Sequence, residues 1–192
     1  MQLINLKTNY LGKNIEFFEE IDSTQLEIWR KIKNKKIRNG ELIIANTQTA
    51  GMGTHGRIWH TDEKENIAFS FYVETECDYS KLEGITIEIA EILVDIFKNK
   101  YNIKIDIKSP NDLIINNKKI GGILTESKIY KNKINYLVIG IGINTNKINF
   151  PEDIKDIATS IKKEYKIEIN NSEIISEFCN KFEEKINSKI GR

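Results

Sequence analysis

Cysteine is scarce in this sequence: only Cys77 and Cys179 are present, far apart and in no metal-ligand spacing. That scarcity excludes a disulfide framework, leaves a structural zinc site without support and fits a reducing cytosol. An excess of either charge is also missing, since 29 Lys and Arg stand against 28 Asp and Glu for a formal net charge of +1. A domain that holds nucleic acid by its phosphates carries a basic excess, so nucleic acid is not an expected partner. No apolar run approaches the roughly 18 residues a membrane span needs, and residues 1–20 lack the apolar core of a signal peptide. Repeats and low-complexity linkers are absent as well. What is there is a chain of 192 residues, enough for a domain that buries about 70% of its unfolded surface. Lysine, isoleucine and asparagine are abundant, so a lysine run such as that in residues 31–36 reads as a solvated face.

Hydrophobic periodicity divides the chain into elements. Residues 15–18 read as a short strand, and Asp22-Ser23-Thr24 caps a helix carrying Leu26, Trp29 and Ile32. Asn39-Gly40 is a turn signal before a strand over 41–48, and a polar stretch over 61–65 precedes an aromatic-rich strand over 66–74. Leu82, Ile85, Ile89, Ile92, Leu93 and Ile96 recur every three or four residues, which predicts a helix from about 80 to 100. Residues 104–108 alternate charged and apolar, and Pro110 should hold Ser109 extended and end that strand. Residues 112–115 and 120–127 read as hairpin arms around Asn116-Asn117, followed by a strand over 135–143. The remainder reads as mostly helical, with Ile174, Phe178, Phe182, Ile186 and Ile190 on one face of a last helix capped near Asn171 or Ser172. Three helices and six or seven strands, many joined as hairpins, predict an α+β domain with a largely antiparallel or mixed sheet.

Two stretches carry chemistry. From Thr49 to Trp59 the chain reads Thr-Ala-Gly-Met-Gly-Thr-His-Gly-Arg-Ile-Trp, and Gly51, Gly53 and Gly56 literally match G-x-G-x-x-G. A dinucleotide fingerprint must open a helix, whereas this loop leads into another strand. A kinase glycine loop would be followed by His-Arg-Asp and Asp-Phe-Gly, which this chain lacks. On its own the loop is a flexible hairpin, but its glycines let backbone N–H groups approach a ligand, and Arg57 and Trp59 add charge and a stacking face.

The second stretch is Lys108-Ser109-Pro110-Asn111-Asp112-Leu113, followed by Lys118-Lys119-Ile120-Gly121-Gly122-Ile123-Leu124. A single lysine at a strand end reads as solvated. The Asn116-Asn117 turn changes that by bringing the chain back, so that Lys108 and Lys119 flank one hairpin. Lys118 should point to the opposite face, and Gly121-Gly122 leaves room for a ligand or the glycine loop. Ser23, Thr24 and Gln48 are polar candidates for recognition, although Ser23 also serves simply as a cap. His55 and His60 lack partners at triad or metal spacing and read as rim residues. Asn144, after Gly140-Ile141-Gly142-Ile143, either reads a base edge or caps its loop. Close backbone approach, positive charge and an aromatic surface suit an anionic, planar ligand such as an acyl-adenylate.

These motifs, in this order and spacing, resemble biotin protein ligases over residues 17–146. The resemblance implies that residues 1–192 form that family's catalytic domain, a central mixed, largely antiparallel sheet flanked by helices and related to the class II aminoacyl-tRNA synthetase core. It implies an ATP-dependent, AMP-forming enzyme that converts biotin to biotinyl-5′-AMP and attaches biotin to a lysine of a biotin carboxyl carrier protein. Biotin would meet Ser23, Thr24, Gln25, Gln48, Gly51, Met52, Gly53, Thr54, Lys119 and Gly122. ATP and the adenylate would meet Arg57, Trp59, Lys108, Asn111, Asp112 and Asn144, with Lys119, Arg57 and Lys108 as catalytic cations. ATP and biotin are then the substrates, with Mg²⁺ expected alongside ATP although no ligand cluster for it stands out. The carrier protein is the expected partner, a homodimer by sheet-edge pairing is open, and the cytoplasm is the expected compartment. Three departures stand out: Thr54 where the family often has arginine, Ser109 where it usually has tryptophan, and no counterpart of its small C-terminal β-rich domain. No helix-turn-helix precedes Phe17, so a repressor role is not indicated. A lipoate or octanoate ligase, expected to carry a different arginine- and glycine-rich signature, and a non-catalytic biotin-binding protein are the alternatives.

Overall fold

The computed structural model describes residues 2–61 and 65–191; Asp62, Glu63 and Lys64, within the polar stretch over 61–65, lie outside the described residues. Seven strands form one sheet in the order β1-β2-β3-β7-β6-β5-β4. β1 (Ile15–Ile21) crosses through α1 (Thr24–Lys33) to run parallel with β2 (Leu42–Gln48). β3 (Ile67–Asp78) follows, then α2 (Ile85–Tyr101), the short β4 (Asp106–Lys108), β5 (Asp112–Ile115), β6 (Lys118–Tyr130) and β7 (Lys133–Ile143), all antiparallel to their neighbours. α3 (Ile161–Tyr165) and α4 (Asn171–Ile190) complete the chain. The mixed, largely antiparallel sheet with helices expected from the sequence is the fold.

Strand alternation sorts the side chains onto two unlike faces. Phe69, Phe71 and Val73 of β3 and Ile139, Ile141 and Ile143 of β7 join Ile89, Leu93 and Phe97 of α2 and Phe178 and Phe182 of α4 in the main core. The rings of Phe69, Phe71, Phe178 and Phe182 lie 5.1 to 6.1 Å apart. Under α1 the buried cluster is smaller, made of Ile28, Ile43, Tyr72 and Val138. Beyond it on the same face β6 and β7 present Gly122, Gly140 and Gly142, and this is where cavities open.

Several boundaries differ from the sequence reading, each for a physical reason. α2 begins at Ile85, not near 80, because Gly84 is left-handed (φ 77) and residues 79–81 form a separate 3-10 turn; Leu82 is buried regardless, which kept the apolar period intact. β6 and β7 run on to Tyr130 and Lys133, joined by Lys131 and Asn132 at positive φ, so the hairpin is longer than 120–127 and 135–143. β4 is shorter than 104–108, and Ser109-Pro110 is a cis peptide. The tail is less helical than expected: residues 144–160 hold no helix, α3 is one short helix more than predicted, and Asn170 rather than Asn171 or Ser172 caps α4. Leu26, Trp29 and Ile32 are not the most buried positions of α1; Thr24, Gln25 and Ile28 are. Nor is Lys31 merely solvated, since it pairs with Glu16 and the buried Glu41.

Candidate active site

Two glycines of β7 make the floor. A Cβ at Gly140 would stand 2.7 Å from Gln25 Oε1 and 3.2 Å from Ser70 Oγ, and one at Gly142 would overlap the Trp59 indole. With no side chains there, α1 and the glycine loop approach the sheet closely. The first cavity, about 40 Å³, is lined by Ser23, Thr24, Gln25, Gln48, Met52, Gly53, Thr54, Trp59, Ser70, Asn111, Lys119 and Gly122 among others. Ser23 caps α1 through Leu26 N (3.4 Å) and also lines this cavity. Asp22 steadies that end of the helix, accepting from Ser23 N at 2.7 Å and from both terminal nitrogens of Arg30 at 2.8 Å. The Arg30 hydrogen bond, more than any other contact, holds its carboxyl below the ordinary carboxylate range.

Gln48 is engaged at both ends of its amide. Its Oε1 accepts from Thr24 N (2.8 Å) and Oγ1 (3.1 Å), and its Nε2 donates to Thr61 Oγ1 (3.0 Å). Thr24 Oγ1 in turn lies 2.8 Å from Ser70 Oγ. Gln48 therefore ties β2, α1 and the strand-to-loop crossing together at the cavity wall.

The glycine loop folds back on itself, with Gly53 N donating to Arg57 O and Trp59 N to Gly51 O, both at 2.8 Å. His55 sits at its tip in left-handed backbone (φ 57). A second cavity of about 400 Å³ opens beyond the loop, lined by Gly53, Thr54, Arg57, Trp59, His60, Lys119, Asn144, Lys147, Phe150 and Asp153 and closed by Ile154, Ile157 and Ala158. Trp59 and Lys119 line both cavities. Lys119 Nζ is 2.7 Å from Asp112 Oδ1 and 5.7 Å from the centroid of the Trp59 ring. Its backbone is held from outside the sheet, with Lys119 N donating to Ile157 O (2.8 Å) and Thr159 N to Lys119 O (2.9 Å). Lys118 turns away towards Lys155 O (3.5 Å), as strand alternation requires.

Most of the residues singled out in the sequence converge here. Asn111 sits beside β6, donating from Nδ2 to Ile123 O at 3.2 Å. Asn144 both lines the second cavity and ties down its far wall, donating to Thr159 O at 3.2 Å. Asp112 acts through Lys119. Gly51 contributes backbone only, and Arg57 is exposed at the rim, donating to Thr54 O (3.2 Å) and Oγ1 (2.9 Å). Lys108 is not brought in: it is exposed on the edge strand β4 and lines neither cavity. The sequence reading missed Ser70, the one polar residue in a run of large side chains on β3. It also missed the segment after Asn144, where buried Lys147 places Nζ 5.4 Å from the Phe150 ring centroid. Nothing periodic marks those positions.

Residues 17–144, which hold all of the first cavity's lining and part of the second's, match the biotin/lipoate A/B protein ligase family. The chain belongs to that family. As a member of the biotin/lipoate ligase family it is 33% identical over 182 residues to the bifunctional ligase/repressor BirA of Bacillus subtilis, covering 94% of this chain and 56% of that protein. The chain thus spans little more than half the length of that relative. Biotin protein ligase from Aquifex aeolicus, solved in complex with biotin and ATP, is similar with a TM-score of 0.77 at 27% identity, covering 94% of this chain and 73% of that one. A biotin acetyl coenzyme A carboxylase synthetase from Helicobacter pylori, solved with bound biotinylated ATP, gives a TM-score of 0.65 at 26% identity over 92% of this chain and 78% of its own.

Proposed function

We propose that this family member activates biotin with ATP to biotinyl-5′-AMP and transfers biotin to a lysine of a biotin carboxyl carrier protein. The observation that carries the reading is Lys119, whose ammonium stands where the two cavities meet, braced by Asp112 and lying over the Trp59 ring. In this reading the polar lining of the first cavity meets the ureido ring, the cavity widening from about 40 Å³ as biotin enters, and the larger second one takes the nucleotide. At their junction a carboxylate must approach the α-phosphate, a repulsion of about 4 kcal/mol at 4 Å and an effective dielectric near 20. A cation fixed at that point offsets the repulsion without a protein nucleophile. The carboxylate oxygen bonds to the α-phosphorus and pyrophosphate leaves. The amine of the acceptor lysine then attacks the acyl carbon of the mixed anhydride, and AMP leaves as biotin becomes an amide. Lys119 faces the developing negative charge in both steps.

Trp59 and Asn144 are the adenine contacts in this reading, with Arg57 at the phosphates from the rim. Lys108, out on β4, adds only long-range positive potential. Mg²⁺ would come with the triphosphate; among the described residues no three His, Cys, Asp or Glu side chains gather at a possible ion position. The polar lining from Ser23, Thr24 and Gln25 favours a ureido ring over the saturated chain of octanoate or lipoate. Among the described residues no helix is long and apolar enough to cross a membrane. With near-zero net charge we place the protein in the cytoplasm, acting without nucleic acid. A second copy would dock by pairing along an edge of the sheet, β1 or β4. Incubation with ATP and either biotin or octanoate, followed by mass detection of the acyl-adenylate, tests the reading. Biotinyl-AMP is expected, and octanoyl-AMP formed in preference to it would overturn it.

A further inference from the structure

Glu126 on β6 lies outside the lining of both cavities, yet one of its oxygens collects two donors from α1. Its Oε2 accepts from Gln25 Nε2 at 2.8 Å and from Trp29 Nε1 at 2.7 Å. A carboxylate only accepts, so the Gln25 amide must turn its nitrogen to Glu126. A second acceptor, Val138 O at 3.4 Å from the same nitrogen, agrees with that orientation. The amide oxygen is then directed the other way, over Gly140 at the floor of the first cavity. Gln25 is 3% exposed, and its Oε1 is buried with no hydrogen-bond partner. Gln48, by contrast, has both ends of its amide occupied by Thr24 and Thr61. A buried acceptor left without a donor costs free energy, and a ligand N–H arriving there removes that cost.

We propose that Gln25 Oε1 accepts a hydrogen bond from a ring N–H of the ligand, and that Glu126, held by Trp29, is the positioning residue that keeps this oxygen rather than the amide nitrogen facing the cavity. The inference rests on the reading that the first cavity takes biotin, whose ureido ring carries two such N–H groups. Without Glu126 only the longer contact to Val138 O (3.4 Å) holds that orientation, so the amide can turn by half a turn, and an NH₂ facing a ring N–H sets donor against donor.

Isothermal titration of the full chain with biotin and with its two ureido N-methyl derivatives tests this. Wild type should bind one derivative about five- to tenfold less tightly than the other, the worth of one lost hydrogen bond to a buried acceptor. Gln25→Leu should bind biotin more weakly by a similar factor and lose the preference between derivatives. Glu126→Leu should do the same although it touches no ligand, whereas Glu126→Gln, which keeps an acceptor oxygen for both α1 donors, should behave as wild type. A Glu126→Leu protein that binds biotin as wild type does overturns the proposal. So does one that weakens on biotin and both derivatives alike, since a purely structural role predicts uniform loss. If the wild-type chain binds none of the three ligands, the functional reading itself falls, an outcome separate from these.

Discussion

On one side of β7, Ile139, Ile141 and Ile143 are buried in the main core with Phe178 and Phe182; on the other, Val138 gives way to Gly140 and Gly142 and the side chains stop. Both faces are built by the same eleven-residue strand. The first is filled with packed apolar side chains. The second holds Gln25 Oε1 and Trp59 Nε1 buried without partners, each a cost of about 1–3 kcal/mol while unmade. A fold retains such groups when burial elsewhere outweighs them, and here the α2 and α4 face supplies that burial. The comparison teaches how to tell stability from function in this chain: substitutions on one face should change folding, and substitutions on the other should change chemistry.

The largest test lies on the filled face. Phe178→Ala removes a fully buried ring from the aromatic cluster and should cost about 3–5 kcal/mol of stability by urea denaturation. A loss well under 1 kcal/mol would mean this face is not the source of stability. Next, Lys119→Met should slow adenylate formation by about 10²–10³ with little change in Tm. Lys118→Met, pointing away, is the control, and equal losses in the two variants would sink the assignment of Lys119.

A pair of glycines on the neighbouring strands β6 and β7 sharpens the contrast further. A methyl at Gly142 must displace the Trp59 indole, so Gly142→Ala should cost roughly 10–100-fold in adenylate formation, the scale of a 1 Å misplacement. Gly121 is on the other face, where a Cβ would meet Leu113 side-chain atoms at 3.1 and 3.4 Å and Gly142 O at 3.1 Å. Gly121→Ala should therefore lower Tm first, and the opposite pattern would break the two-face account. A smaller effect is expected at Thr54, whose hydroxyl anchors Arg57. Thr54→Val should speed adenylate release about two- to fivefold, the loss of one exposed hydrogen bond. Thr54→Arg restores a cation at the price of that anchor, so it should not simply slow release.

The smallest effect concerns pH. Hydrogen bonds from Thr159 Oγ1 (2.6 Å) and Asn116 Nδ2 (2.7 Å) hold the Glu164 carboxyl below the ordinary range. A depressed carboxylate stabilises the fold above its unfolded pKa, and that contribution is lost as pH falls through the folded one. Thermal melts from pH 6 down towards 3 should show wild type losing slightly more stability than Glu164→Gln; parallel curves would remove Glu164 from the account.

How much of this was legible beforehand can be judged from particular residues. The opposite facing of Lys118 and Lys119 was readable because strand alternation is local, and so was the turn at Asn116 and Asn117, which adopt φ 51 and 61. The capping role of Ser23 was readable from its place before α1. The helix start was misread at 80 because Leu82 continues an apolar period that the left-handed Gly84 interrupts. Lys108 was expected beside Lys119 because both border one hairpin, but β4 is the edge strand and its side chain reaches solvent.

The sequence by itself determined what depends on spacing along the chain: the order of the motifs, the alternation that sorts each strand into two faces, and the glycines that leave one of them bare. Only the tertiary structure decided what depends on meetings between distant segments. Lys119 is pinned by Ile157 and Thr159, and Gln25 is oriented by Glu126. The physical reason is that alternation and turn conformation are set by neighbouring backbone dihedrals. A cavity wall, by contrast, is set by which remote side chains the folded sheet brings into contact.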